Sequence, residues 1–157
     1  MRNVIAALAV SVGLGLGASA GCTSDAPSTR VVDSKDAARL LIDRNWLDTW
    51  PQHHDDHLLV YRFVPSMGGG VYQDRTVFKG TFELFQFQPS GDSIAFSFPH
   101  TGEKVRAQYR IERVQGPKPF DLKLTITPDP RGPGVYYGMT SDKGQDVQTL
   151  FTGSSAK

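Results

Sequence analysis

The strongest constraint on this chain is a period of two that runs through its C-terminal half. Residues 93–98, SIAFSF, place Ile94, Phe96 and Phe98 on one side and Ser93, Ala95 and Ser97 on the other. Residues 104–112, KVRAQYRIE, put Val105, Ala107, Tyr109 and Ile111 inside, with Lys104, Arg106, Gln108, Arg110 and Glu112 toward water. Residues 120–127, FDLKLTIT, repeat the rule with Phe120, Leu122, Leu124 and Ile126 inside. Successive side chains of a strand point to opposite faces, so this pattern demands half-buried antiparallel strands.

Turn chemistry punctuates the strands. Ser66–Gly70, Pro89-Ser90-Gly91-Asp92, His100-Thr101-Gly102-Glu103, Gln115-Gly116-Pro117 and Asp129-Pro130-Arg131-Gly132-Pro133-Gly134 all carry residues that suit tight reversals. Strands joined by short hairpins make a meander, and a long meander closes into an up-and-down barrel or folds as a sandwich. The expected fold is mainly β: an antiparallel meander closing into a small barrel, with one N-terminal α-helix packed on it.

Two strands depart from simple alternation. HLLVYRFV has Leu59, Tyr61 and Phe63 on one face against Leu58, Val60 and Val64 on the other. TFELFQFQ sets Phe82 and Leu84 against Phe85 and Phe87. A strand that is apolar on both sides needs cover on both sides. The predicted cover is a helix, packed across the barrel's outside or over one end, beginning at Asp33 or Ser34, whose stripe is Ala38, Leu41, Ile42, Asn45, Trp46 and Trp50, stopped by Pro51. DVQTLFTG near the end offers a last strand, and residues 152–157 read as a flexible tail.

The first residues speak to location. Arg2 precedes an apolar run of small and aliphatic residues, Val4–Gly17, shorter than the roughly 20 residues of a membrane span. This is the shape of a signal peptide. Ser19-Ala20-Gly21-Cys22 closes it and resembles the lipobox of bacterial lipoproteins. The resemblance implies cleavage before Cys22, a diacylglyceryl group on its thiol and acylation of the new amino terminus. One acyl chain anchors only marginally, whereas two or three hold firmly. The Thr23 that follows, in place of Asp, points by the same resemblance to the outer membrane. Residues 1–21 then form the signal peptide, 22–32 a lipidated tether and 33–151 the folded domain. Cys22 is the single cysteine, so no internal disulfide forms.

Removing residues 1–21 takes away Arg2 and no acid, leaving 16 Lys+Arg against 16 Asp+Glu from the 17 and 16 of the whole chain. A neutral chain without a basic stripe does not suit nucleic acid. The membrane, through the lipid anchor, is the expected partner. The hairpin run, the tryptophan-bearing N-terminal segment and the closing FDLKLTITPDPRGPGVYYGM resemble the lipocalin-like, or calycin, small barrels of bacterial lipoproteins. The resemblance implies a barrel that binds a hydrophobic small molecule. No ligand residue is carried over from the family.

Candidate chemistry is sparse. Three of the four histidines fall in WPQHHDDH, and His53, Asp55 and His57 are the conceivable metal ligands. Pro51 breaks any helix that would align them, and on a strand His53 and His57 lie too far apart to share an ion. The plain reading is a hydrated link into a strand, with no metal and no cofactor. His100 sits in a turn. There is no Gly-x-Ser-x-Gly elbow, and Gly68-Gly69-Gly70 lacks the Lys-Ser/Thr of a phosphate cradle. Glu83 and Asp121 are expected to face water. The candidate ligand-binding residues are therefore the inward ones: Phe82, Phe96, Phe98, Tyr109, Leu122, Leu124 and Tyr136, with Tyr137 pointing out. They either fill the barrel or line a cavity. The expected function is non-catalytic: binding of a hydrophobic small molecule, or assembly with another envelope protein through an exposed sheet face, ahead of a metal-dependent enzyme at His53, Asp55 and His57.

Overall fold

The computed structural model describes residues 29–154. The expected signal peptide, the lipobox-like segment with Cys22, the first part of the expected tether and the last three residues of the chain lie outside the described residues. The strands are β1 (Arg30–Val31), β2 (Asn45–Leu47), β3 (Leu58–Val64), β4 (Gly69–Arg75), β5 (Gly80–Ser90), β6 (Ser93–Phe98), β7 (Glu103–Arg113), β8 (Leu122–Thr127) and β9 (Val135–Gly138). From β2 to β9 each strand pairs antiparallel with the next in sequence. β9 returns to β2 through Leu47 opposite Tyr137, so eight strands close into an antiparallel barrel. Closure leaves no long free edge at the seam, the general advantage of a barrel over an open sheet. β1 lies on β7 beside the start of β6, with Arg30 opposite Arg113. The folded unit thus begins within the segment expected to be tether.

The N-terminal helix, α1 (Ser34–Leu41), is present but short. Asp33 caps it, its Oδ1 accepting from the backbone N–H groups of Lys35 and Asp36, both at 3.0 Å. The helical stripe does not continue to Trp50. Ile42 is already extended and bridges to Phe63, while Asp43 takes a left-handed φ of 54° that turns the chain into β2. Two separate elements produce the apparent stripe: Leu41 belongs to a helix and Trp46 to a strand. The Trp46 indole N–H donates to the Leu41 carbonyl at 2.9 Å, tying the helix end to the barrel interior. Ala37 and Leu41 join the interior core, so α1 contributes to one end of the barrel and does not cover its side.

The side cover comes from elsewhere. Leu47, Leu58 and Val60 point outward from β2 and β3 and are buried with Phe120 and Val147, backed by Trp50, Tyr137 and Met139. Alternation places Phe120 inside with Leu122 and Tyr137 outside, and Tyr137 does face out. Instead Phe120 packs outside the wall, edge-on to Trp50 at 5.8 Å and stacked on Tyr137 at 5.5 Å. Val147 comes from a second helix, α2 (Val147–Ser154), formed by the segment that offered a last strand. A buried polar tie holds this C-terminal stretch. Asp142 Oδ2 accepts from the Asn45 backbone N–H at 2.7 Å and from its amide at 3.1 Å, and the same amide donates to the Gln145 carbonyl at 2.7 Å.

Inside, the barrel is filled by side chains. Tyr61 stands at the centre of an aromatic cluster, 4.8 Å from Tyr72, 5.1 Å from Tyr136 and 5.6 Å from both Phe63 and Phe85 between ring centroids. Phe96 and Phe98 stack at 6.2 Å beside them. Leu122, Leu124, Ile126, Ile111, Ile94 and Trp46 complete the core. These offset and edge-on contacts are the preferred aromatic geometries and add to the area they bury.

The β5 register corrects one sequence expectation. Phe85 and Phe87 face inward, so Phe82 and Leu84 face out, 70% and 56% exposed. Either pair satisfies the alternation. Gly70 decides between them: a Cβ there would lie 2.4 Å from the Phe85 ring, so only glycine in β4 lets Phe85 occupy the interior. Glu83, expected outside, then turns to the inner rim. Glu112, also expected in water, is 7% exposed, with Arg110 and Lys123 nitrogens each 3.6 Å from its carboxylate.

Candidate functional site

The histidines do not converge. His57 Nε2 pairs with Asp74 Oδ1 at 2.5 Å, and His54 Nε2 lies 3.4 Å from Asp55. His53 engages through its backbone: its N–H donates to Asp56 Oδ2 at 2.9 Å, alongside the Gln52 N–H at 2.7 Å, and its carbonyl accepts from the Asp56 N–H at 3.2 Å. The two bonds to Asp56 Oδ2 hold the Asp56 carboxyl below its usual range. Among the described residues no three metal-ligating side chains are grouped. WPQHHDDH is a turn that Asp56 closes before β3 begins at Leu58.

Of the inward candidates, Phe96, Phe98, Tyr109, Leu122, Leu124 and Tyr136 are buried in the barrel. Phe82 is outside it. The buried six pack into the core. Tyr109 also borders a cleft of about 460 Å³ shared with Ala37, Asp92, Gln108, Ile111 and Thr125.

The polar chemistry sits at one barrel end, in the turn 128–134. Asp129 is its hub. Oδ1 accepts from the Tyr61 hydroxyl at 2.9 Å and from the N–H groups of Arg131 and Gly132 at 2.9 and 3.1 Å. Oδ2 accepts from the Tyr136 hydroxyl at 2.7 Å and the Gly134 N–H at 2.9 Å. The Tyr72 hydroxyl donates to the Arg131 carbonyl at 3.0 Å. Burial first, and the Asp129 carboxylate second, push the Tyr61 and Tyr136 phenols far above their ordinary range. Tyr72, mainly through burial, is pushed up to about 12. These three phenols therefore act as fixed donors at neutral pH and not as bases.

Arg131 clamps the rim. Its guanidinium holds Glu83 with Nε–Oε2 at 2.5 Å and Nη2–Oε1 at 3.1 Å, and Glu103 through Nη1 at 2.8 Å. It lies 3.8 Å over the Phe98 ring. A two-bond fork on one carboxylate with stacking on an aromatic is a geometry that lysine cannot reproduce. The hydrogen bond to Arg131 lowers Glu83 and raises Arg131, so each stays ionised. The cluster fastens the 128–134 turn across the gap between β5 and β7. No nucleophile with an adjacent base is part of it. Sequence reasoning had assigned this stretch to a turn alone. The available signal was an acid opening a Pro/Gly-rich reversal, where an Asp side chain commonly binds its own backbone.

The surface feature left over is apolar and lies on the outer face of β4 and β5. Val71 pairs with Leu84 and Gln73 with Phe82. Beside them Met67 is 78% exposed, and Phe78, in the β4–β5 turn, is 52% exposed. A groove of about 230 Å³ runs between Val64, Met67, the Gly68–Gly70 floor, Val71, Leu84 and Pro99. The three glycines read in sequence as a hairpin tip thus also bare the groove floor.

Fold and site together define a closed eight-stranded antiparallel barrel with an aromatic-filled interior and an apolar strip on its outside. No family model matches the chain, and neither a curated protein nor a solved structure is similar to it.

Proposed function

We propose that this protein is a lipid-anchored cell-envelope lipoprotein, held through Cys22 in the outer membrane, whose barrel is a non-catalytic module that docks another envelope protein. The observation that carries this reading is the division of aromatic and aliphatic groups between inside and outside. The interior candidates are spent on one another, whereas Phe82, Leu84 and Met67 stand in solvent on one sheet face. Exposed apolar groups clustered on a small domain mark interaction surfaces. The hydrophobic-ligand reading that the lipocalin-like meander suggests has less support, because the residues that would line such a site are packed together.

The test is site-specific photocrosslinking in the native envelope. A photoreactive residue replacing Phe82 in the full chain is expected to yield a protein adduct, and one replacing Lys35, exposed on α1 where that helix packs on β7, is not. Absence of a protein adduct at 82, or the same adducts at both positions, would contradict the proposal.

A further inference from the structure

The cleft beside Tyr109 is separate from the apolar strip and opens where β7 changes partners. Residues 103–108 pair with β6, whereas Glu112 and Arg113 pair with β1. Between them, the Tyr109 N–H donates to the Asp92 carbonyl at 2.7 Å and the Ile111 carbonyl accepts from the Val32 N–H at 2.9 Å. Here the β5–β6 turn leaves the sheet on one side and the chain into α1 leaves it on the other. The cleft of about 460 Å³ lies between them. That size is within the roughly 300–1,000 Å³ of small-molecule sites.

The lining sets the chemistry of the occupant. Ser34, Gln108, Thr125 and Thr127 bring hydroxyl and amide groups to it. Among the described residues these side chains make no hydrogen bond, and the Asp92 carboxylate makes no ion pair. The Asp129 hub differs, since its donors and acceptors satisfy one another. Tyr109 forms the barrel side of the cleft, and its hydroxyl is buried without a hydrogen-bond partner, where a buried donor ordinarily has one. Val31, Val32 and Ile111 add an apolar wall. Asp92 and Arg110 are the charged side chains of the lining, and their charges cancel. An anion would meet Asp92, a cation would meet Arg110, and an apolar molecule would strand the hydroxyls and the amide. Hydroxyl groups both donate and accept, which matches serine, threonine and glutamine together. We infer that this cleft binds a neutral polyhydroxylated molecule of one or two sugar rings, its hydroxyls toward Asp92, Gln108 and Thr125 and its C–H face toward Val31 and Val32.

The test is saturation-transfer NMR on the full chain in a detergent without sugar headgroups. The probes are glucose, galactose, N-acetylglucosamine, cellobiose and chitobiose. Saturation is expected to reach the ring protons of at least one of them, and neither inorganic phosphate nor choline is expected to displace it. Asp92→Ala with Gln108→Ala, both at exposed positions, should weaken binding at least roughly tenfold at parent Tm. Thr125→Val keeps the side-chain shape and should weaken it by a smaller factor, so it decides the matter if the double variant loses stability. Phe82→Ala should leave sugar binding unchanged, which separates this inference from the docking proposal. Transfer to none of these sugars, displacement by phosphate or choline, or parent-strength binding in the folded cleft variants would overturn the inference.

Discussion

Replacing Asp129 by Ala removes the acceptor that five donors share, and the cost is calculable from what is left behind. The Tyr61 and Tyr136 hydroxyls lie inside the barrel end and have no other hydrogen-bond partner among the described residues, whereas the N–H groups of Arg131, Gly132 and Gly134 sit nearer solvent. A buried polar group deprived of its partner costs roughly 1–3 kcal/mol, so the two phenols alone account for about 4 kcal/mol. That is a large fraction of the 5–15 kcal/mol that holds a typical domain together. It corresponds to a drop of roughly 10–20 °C in Tm for a domain of this size. Urea unfolding followed by tryptophan fluorescence measures it, since Trp46 is fully buried. The argument makes a second, sharper demand. Adding Tyr61→Phe and Tyr136→Phe to Asp129→Ala removes the stranded donors and should recover part of the loss, because deleting both partners costs less than deleting one. A single Asp129→Ala variant within about 1 kcal/mol of the parent, or a triple variant less stable than the single, would refute this account of the hub.

Three further outcomes follow from the same geometry. Above about pH 10 the phenols of the unfolded chain ionise while Tyr61, Tyr72 and Tyr136 stay protonated in the barrel. The unfolded state then releases protons that the folded state keeps, so stability is whole below pH 10 and falls toward the Tyr72 value of about 12. Each fully retained phenol adds about 1.4 kcal/mol per pH unit to that slope, and a phenolate absorbance titration that proceeds without unfolding would contradict it. Gly70→Ala should destabilise by about 1–3 kcal/mol or more, since its Cβ would meet the Phe85 ring at 2.4 Å and the Arg62 carbonyl oxygen at 2.5 Å. A parent-like Tm in that variant would show that the β5 register is not fixed there. His53→Ala with His57→Ala should leave Tm insensitive to zinc and to chelator, as in the parent, and a metal-dependent difference between the two would restore a metal site at WPQHHDDH.

Legibility in the sequence followed how much each residue's face was forced. In β6, β7 and β8 one face is apolar and the other polar, so Phe96, Tyr109 and Leu124 had a single place to go. In β5 both faces carry apolar pairs, and the choice rests on Gly70 in the neighbouring strand, which no local pattern reveals. The Ala38–Trp50 stripe failed for a related reason. Helical spacing and strand alternation coincide over so few residues, and only the left-handed turn at Asp43 separates α1 from β2. The outer cover was hidden because Phe120 and Val147 act across the fold, far from the β2 and β3 residues they shield. The rim cluster was hidden likewise: Arg131 meets Glu83 across 48 residues of chain.

The claim that the barrel is solid within is tested most directly by native mass spectrometry of the full chain released gently from detergent. The account predicts that no small molecule is retained inside. A chain carrying a bound apolar molecule of defined mass would contradict it.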